Sequence, residues 1–249
     1  MIETHRLFKH PNNQEQKIWR YFDFTKFVDL LNTESLYFSR SDKFDDIFEG
    51  SFPKESVADR ISTINKLINS RKIGTQFSPH SFEERRIREK LDYAINCWHL
   101  NDYESAAMWK IYLKSDEGIA VQSRFSRLKS ELDKSSHKIF LGVVNYKDYE
   151  KDYIDWSIEL NAYLHKRNSF LYEKELRAII WKPTETELNK IDLSTGGIKI
   201  KVDLKNLVEN VFVSPKSPLW LTSLVKETCK RFGFEFKIIN SQLDGKPMF

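Results

Sequence analysis

Apolar positions in residues 17–50 change their spacing twice, which predicts a strand, a helix and a second strand. Lys17–Phe22 is typical of a short aromatic strand. Asp23 can cap a helix over Thr25–Asn32, in which apolar residues recur at the spacing of a buried helical face. Alternation over Leu36–Ser39 then predicts a second strand with one apolar face.

The second predicted strand runs into an acidic-aromatic box within the segment LYFSRSDKFDDIFEG. The members of this box are Phe44, Asp45, Asp46, Phe48 and Glu49. Burial of the two aromatic rings draws the carboxylates toward the protein, and carboxylates near apolar surface need partners. We therefore expect the box to organise charged groups from elsewhere in the chain.

A helical spacing returns in residues 51–95, where we predict an insertion of two helices. Apolar positions over Val57–Asn69 fit the first helix. Ser81 and Glu84 form a capping box that begins the second helix, which is rich in charge. The basic residues of that helix favour a solvated face over a phosphate-binding one.

Residues 96–249 alternate between predicted strands and helices and end in a strand–helix–strand unit. Asn96–His99 and Phe170–Trp181 are predicted strands, whereas Asp152–Arg167 is predicted to be helical. No linker interrupts the chain, so we predict one α+β domain over residues 1–249. Its expected core is a set of mixed or antiparallel β-sheets with flanking helices.

Composition and charge narrow the class of protein. The chain has 249 residues, 40% of them hydrophobic, and only 8 Gly and 7 Pro, as in a compact globular protein. The net charge of +4 is spread over the chain, so it does not indicate nucleic acid, although it is compatible with it. Two cysteines, a polar start and no long apolar run predict a cytoplasmic protein without a signal peptide or a membrane span.

The predicted strand Phe170–Trp181 carries the clearest candidate chemistry. Its period of two places Glu173, Glu175 and Arg177 on one face, with the two carboxylates about 7 Å apart. Such an array can hold a sugar hydroxyl, position a nucleophile or stabilise a developing cation. The alternative is a solvent-facing ladder of charges, which the flanking ring of Tyr172 disfavours.

Other chemical motifs are weak. The acids of the box lack the spacing of an EF-hand loop, and the histidines lack zinc spacing. Cys97 is adjacent to Trp98 and His99, but neighbouring strand residues point to opposite faces, so we predict a buried structural thiol. Trp109 and Tyr112 share one helical side and carry polar atoms that can line a pocket.

Three motifs together resemble a large bacterial family of domains of unknown function. The box is similar to the F-N-D-P-F-E-G box of that family, with Asp45 in place of Asn and Ile47 in place of Pro. The segment AAMWKIYL resembles its M-W-x-x-Y signature, and FLYEKELRAII resembles its Y-E-x-E-x-R strand. The resemblance covers about Trp19–Leu243 and implies a bacterial protein of a kind often encoded among mobile or phage-defence genes.

The order of elements also resembles that of ADP-ribosyltransferases: a strand with an aromatic and a basic residue, a helix, an L-Y-F-S strand and a late E-x-E strand. This resemblance implies NAD as the ligand, with Glu175 as the catalytic glutamate and Glu173 as the group that orients the acceptor. The residues that it implies around the ligand are Arg20, Tyr37, Ser39 and Tyr112.

The first hypothesis is therefore an ADP-ribosyltransferase-like toxin or defence effector that binds or consumes NAD, with Arg177 beside the two glutamates. The further candidate binding residues are Phe44, Asp46, Glu49, Trp109 and Lys166. A rival hypothesis is a Mg²⁺-dependent nuclease, in which the acids of the box converge with the two glutamates near Lys166 or Lys174. A third is a module that senses a ligand or partner, in which the acids and Arg177 form a buried ion network.

Overall fold

The computed structural model describes residues 1–113, 117–181 and 196–245, and its central feature is a mixed β-sheet of nine strands. The strands of this sheet are β1 (Lys17–Asp23), β2 (Ser35–Arg40), β3 (Tyr93–Leu100), β4 (Gly118–Arg124), β5 (Ile139–Val143), β8 (Glu175–Trp181), β9 (Gly197–Lys201), β10 (Asn210–Val213) and β11 (Ile238–Asn240). A separate parallel ribbon consists of β6 (Asn145–Lys147) and β7 (His165–Arg167).

Helices connect the strands and cover the sheet. The α-helices are α1 (Phe24–Thr33), α2 (Lys54–Asn69), α3 (Pro79–Glu89), α4 (Ala106–Tyr112), α5 (Phe125–Asp133), α6 (Leu204–Leu207) and α7 (Leu219–Arg231). Short 3₁₀ helices are Ser41–Lys43, Thr75–Phe77, Lys90–Asp92, Glu159–Tyr163, Asn168–Glu173 and Gln242–Asp244. The predicted α+β class, with a central mixed sheet and flanking helices, is confirmed.

The sheet divides at β3. One edge of β3 pairs with β8, which in turn pairs with β5. The other edge is shared: β1 pairs at the carboxyl end of β3, where Trp19 faces His99, and β2 pairs at the amino end, where Ser39 faces Ile95. Strands β1 and β2 each pair with only one end of β3. They therefore diverge from each other and leave a split in the sheet between β1 and β2.

Helices α1, α5 and α7 pack on one face of the sheet and form the largest apolar core. Helix α1 begins as its sequence predicts, because the side chain of Asp23 accepts a hydrogen bond from the backbone N–H of Lys26 at 2.8 Å. Phe27, Leu30 and Leu31 then place its apolar stripe against the sheet. The predicted opening strand–helix–strand is thus confirmed to within about two residues.

Three predicted elements are wrong or shifted. Asp152–Arg167 is not an α-helix but an irregular segment with a 3₁₀ turn and strand β7. Helix α3 begins at Pro79 with Ser78 as its cap, whereas the hydroxyl of Ser81 bonds to backbone carbonyls instead of capping. The strand predicted from Phe170 begins only at Glu175. Lys174 has a φ of +40°, so it turns the chain from a 3₁₀ helix into the strand.

Residues 51–95 contain α2 and α3, as predicted, but their status as an insertion within one domain stays a prediction. Within the described ranges, no helix combines the length and the apolar character that crossing a membrane requires.

Candidate functional site

A cavity of about 610 Å³ opens over the split between β1 and β2. This volume lies in the range of small-molecule sites in proteins, which is about 300–1,000 Å³. Strand β1, strand β2, the middle of β3 and helix α4 supply most of its wall, and Glu173 and Glu175 border it from the other edge of β3. The sheet therefore brings the early aromatic strands and the late acidic segment to one site, although they lie far apart in sequence.

Arg20 lies in the split itself. Its guanidinium donates a hydrogen bond to the carbonyl of Tyr37 at 3.1 Å and stands 5.3 Å from the centre of the Phe22 ring. Burial lowers the pKa of Arg20 to about 10. No carboxylate among the described residues forms an ion pair with Arg20, so a half-buried cation on the cavity wall lacks an acidic partner. A partly desolvated positive charge of this kind favours an anionic ligand.

Glu173 and Glu175 form a carboxyl pair at the cavity. The ammonium group of Lys166 on β7 donates a hydrogen bond to Oε2 of Glu173 and another, of 2.9 Å, to Oε1 of Glu175. The two carboxyl groups also share a hydrogen bond. The prediction that these residues lie together is correct, but not on one strand face: Glu173 reaches the pair from a 3₁₀ helix.

The environment of the pair moves the two pKa values in opposite directions. Burial and the negative charge of Glu175 raise the pKa of Glu173 to about 8. Burial alone would raise the pKa of Glu175 too, but Arg177, the hydrogen bond from Glu173 and the charge of Lys166 hold it well below its ordinary value. Near neutral pH, Glu173 is thus protonated and Glu175 ionised, as two carboxyl groups that share one proton must be.

Arg177 clamps the acidic-aromatic box to β8 and is fully buried. Its guanidinium donates to both carboxylate oxygens of Glu49, at 2.6 and 3.0 Å, to Oε2 of Glu175 at 2.5 Å and to the carbonyl of Tyr163 at 2.8 Å. Arg177 and Glu49 therefore lie behind the cavity wall, where they fix Glu175. A direct catalytic role for Arg177 and a ligand contact for Glu49, both predicted from the sequence, have no support in this geometry.

The rest of the box makes a second cation contact. Asp46 accepts from the guanidinium of Arg167 at 2.8 Å, and that guanidinium stands 4.0 Å from the centre of the Phe48 ring. Gly50 ends the box with a φ of +71°, and a Cβ there would come within 2.8 Å of the Tyr163 ring. The box thus organises charged groups from elsewhere, as expected, although Phe48 is 39% exposed and the predicted burial of both rings is wrong. Asp46 is engaged in an ion pair away from the cavity lining.

Strand β2, the box and helix α4 supply other parts of the wall. The cavity is lined, as the sequence predicted, by Tyr37 and Ser39 of β2, Phe44 of the box and Tyr112 of α4. Trp109 does not: it is buried against Tyr21, and its indole N–H donates to Glu104 at 2.9 Å. Its role is packing because α4 turns this residue toward the sheet and away from the cavity. The ligand-contacting roles of the four lining residues stay predictions.

Sequence reasoning missed Tyr21, Cys97 and His99, all of which line the cavity. Cys97 and His99 were judged as neighbours of Trp98, but they are two residues apart and share one face of β3. That alternation was the signal that could have found them. Burial and the negative charge of Glu175 raise the pKa of the Cys97 thiol, so it is not activated as a nucleophile. Burial lowers the pKa of His99, whose Nδ1 donates to the carbonyl of Glu173 at 2.6 Å.

The magnesium-nuclease hypothesis requires the carboxylates to converge. Across the described residues, no group of three or more His, Cys, Asp or Glu side chains is placed to hold a metal ion. Glu49 is instead bound by Arg177, Asp46 by Arg167, and the glutamate pair by Lys166. The acids are distributed among cations, so their geometry does not favour this hypothesis.

Replacing Glu173 by Gln is expected to remove a contribution to stability that decreases between pH 5 and 8. The folded wild type retains a proton on Glu173 that the unfolded chain has released above its ordinary pKa, so the contribution of Glu173 to stability falls as the pH rises through this window. Glu175 contributes only at more acidic pH because its folded pKa is lowered. Urea unfolding at pH 5, 6, 7 and 8 measures this slope, and equal slopes in both proteins would contradict the shared proton.

Comparisons with known proteins give a distant structural likeness only. No family model matches the chain, and no curated protein matches its sequence, so the family resemblances stay predictions. Among solved structures, the chain is similar to DarT from Thermus sp. 2.9 in complex with ADP-ribosylated single-stranded DNA. The sequence identity is 10%, the TM-score is 0.42, and the match covers 95% of this chain and 98% of that chain. A structural likeness with this TM-score carries no inference about function.

Proposed function

We propose that the cavity binds NAD and that the protein transfers ADP-ribose from NAD to an acceptor. The observation that carries this proposal is the Glu173–Glu175 pair, whose pKa values are displaced in opposite directions at the wall of a cavity of about 610 Å³. Two carboxyl groups held in different protonation states can divide the work of one reaction. Arg20, a half-buried cation without a carboxylate partner among the described residues, suits the pyrophosphate of such a ligand.

The proposed step breaks the bond between the nicotinamide nitrogen and C1′ of the ribose. Nicotinamide leaves as a neutral molecule with the electron pair of that bond, and positive charge develops on the ribose. The ionised carboxylate of Glu175 stabilises this charge because it is held in place by Arg177 and Lys166. A nucleophile of the acceptor then bonds to C1′, and its proton passes to Glu173 once that group is ionised.

The pKa of Glu173, at about 8, makes the second half of this step depend on pH. We expect transfer to increase as the pH rises toward 8 because the fraction of Glu173 able to accept a proton increases. The direct test is to incubate the purified protein with NAD, with and without cell lysate, and to follow nicotinamide release and the mass of modified products. A folded protein that neither binds nor consumes NAD in lysate would overturn the proposal.

Replacing Arg20 by Gln is expected to weaken NAD binding by about 10- to 100-fold, because a charge-assisted contact to the ligand is lost. The matched control is Arg231→Gln, which makes the same replacement at an exposed position in the last turn of α7. Titration of NAD followed by calorimetry measures both affinities. Equal affinities for the two variants would remove Arg20 from the binding site.

A second candidate function is ligand sensing without catalysis. It is favoured by the full engagement of Glu175, whose two oxygens accept hydrogen bonds from Lys166 and Arg177. Such a protein would bind a nucleotide in the same cavity but release no nicotinamide. Binding of NAD without turnover, unchanged by lysate, would select this candidate over transfer.

A further inference from the structure

The β6–β7 ribbon has two faces with different chemistry. On one face, Tyr146 and Lys166 are paired in register and both contact the acidic segment. The hydroxyl of Tyr146 accepts a hydrogen bond from the backbone N–H of Glu175 at 2.9 Å, and Lys166 binds the glutamate pair. The residues on either side of Tyr146 point the other way because side chains alternate along a strand.

A second cavity of about 320 Å³ lies against this opposite face. Asn145, Lys147 and His165 line it from the ribbon, and Arg6 and Lys9 line it from the segment that precedes β1. Among the residues that the structure describes, none lines both cavities. The second cavity is therefore a distinct site, separated from the glutamate pair by the thickness of a two-stranded ribbon.

The charges of the second cavity are unbalanced. The side chains of Arg6, Lys9 and Lys147 form no ion pair or hydrogen bond with any residue that the structure describes. Asp155 is the one acid among the described lining residues, and its Oδ1 already accepts from the backbone N–H and the hydroxyl of Ser157. The described lining thus contains three cations, of which Arg6 and Lys9 are exposed to solvent, and one partly engaged anion.

The pKa of His165, which also lines the second cavity, is affected by the same positive charge. Burial lowers the pKa of His165, and the positive charge of Lys147 lowers it further. The Nδ1 atom of His165 stands 2.7 Å from the carbonyl of Asn161, so it carries the proton of a neutral ring. The amide of Asn145 and the ammonium and guanidinium groups therefore provide hydrogen-bond donors in a concave, positively charged space.

We propose that the second cavity is a binding site for a phosphate group. Three cations without ion-pair partners in the described chain, a side-chain amide and a concave shape match the charge and the acceptor oxygens of phosphate. The phosphate can belong to a small nucleotide or to the backbone of a nucleic acid, and these sources share the chemistry that the cavity recognises. The site does not depend on the proposed transferase activity because it lies outside the first cavity.

The test measures binding of three probes to the full chain: inorganic phosphate, ADP and a fluorescent single-stranded dodecamer of thymidine. Calorimetry serves for the first two and fluorescence anisotropy for the third. We expect Lys147→Ala and the double variant Arg6→Ala/Lys9→Ala each to weaken phosphate binding by about tenfold or more. The control Lys205→Ala/Lys226→Ala removes two exposed positive charges elsewhere and is expected to bind as the wild type does.

Arg20→Gln separates the two cavities. Phosphate binding that persists in this variant and is lost in Lys147→Ala supports the second cavity, whether or not NAD is consumed. Loss in Arg20→Gln with normal binding in Lys147→Ala overturns the proposal, as does equal binding by the cavity variants and the lysine control. If ADP displaces the dodecamer and Lys147→Ala abolishes dodecamer binding, a nucleic-acid phosphate binds in the same cavity. Thermal melting confirms that each variant is folded.

Discussion

Replacing Arg177 by Met is expected to lower the free energy of unfolding by about 3–5 kcal/mol. Arg177 is fully buried and binds Glu49 through two hydrogen bonds and Glu175 through a third. Among the described residues, its removal leaves Glu49 buried with no cation partner and Glu175 with Lys166 as its remaining cation. Urea unfolding followed by the fluorescence of the six tryptophans measures the change.

The matched control for this prediction is Arg124→Met. Arg124 also forms a two-bond contact with a carboxylate, at 2.9 and 2.7 Å to Glu209, but its side chain is 30% exposed. Because solvent screens that pair, we expect a loss of at most about 1 kcal/mol. Similar losses in the free energy of unfolding for the Arg177 and Arg124 variants would show that burial does not determine how much Arg177 stabilises the protein.

A double-mutant cycle separates the ion pair from the rest of the packing. Glu49→Gln removes the charge that Arg177→Met leaves unpaired, so the double variant should lose less stability than the sum of the two single variants. The difference measures the coupling between Glu49 and Arg177. Strictly additive losses would mean that each side chain acts through other contacts.

Replacing Glu175 by Gln is expected to lower the rate of nicotinamide release by about 10²–10³-fold, while NAD still binds. The amide keeps the size of the side chain but cannot stabilise positive charge on the ribose. It also loses charge complementarity with Arg177 and Lys166, so stability falls as well. The measurement is single-turnover release of nicotinamide at a temperature where the variant is folded.

The control for Glu175→Gln is Glu49→Gln, because Glu49 binds the same arginine but does not line the cavity. If the carboxylate of Glu175 acts on the ligand, Glu49→Gln should retain release within about tenfold of the wild type once folded. An equal loss in both variants would assign the effect to the disrupted clamp. Unchanged release in Glu175→Gln would favour a structural role for the acids.

The elements that sequence reasoning predicted well are those that local chemistry determines. Strand β1, helix α1 and strand β2 follow from alternation, a capping aspartate and an apolar stripe, all within 24 residues. The segment Asp152–Arg167 shows where such reasoning fails. Its charged and aromatic residues allow a helical pattern, but contacts with distant residues, such as Tyr153 and Trp156 to Asp59, hold it in an irregular path.

Sequence reasoning predicted the residues of the candidate site better than it predicted their arrangement. The residue types and the period of two brought Glu173, Glu175 and Arg177 to attention, and Arg20, Tyr37 and Ser39 came from the order of elements. The division into a cavity wall and a buried clamp behind it could not be predicted, because Glu49 and Arg177 are 128 residues apart in sequence. The pairing of β2 with β3 and of β3 with β8 brings those side chains together.

The 128 residues between Glu49 and Arg177 determine when each side chain becomes available during synthesis. A chain that grows at about 5–20 residues per second adds Arg177 roughly 6–26 s after Glu49. Throughout that interval, the nascent chain carries the acidic box and the strands with Arg20 and Tyr37, but not the arginine that holds the box in place. A ribosome-bound chain that ends before β8 therefore carries the residues of one wall of the cavity but no glutamate pair, so the proposed transfer requires a chain that extends past Glu175.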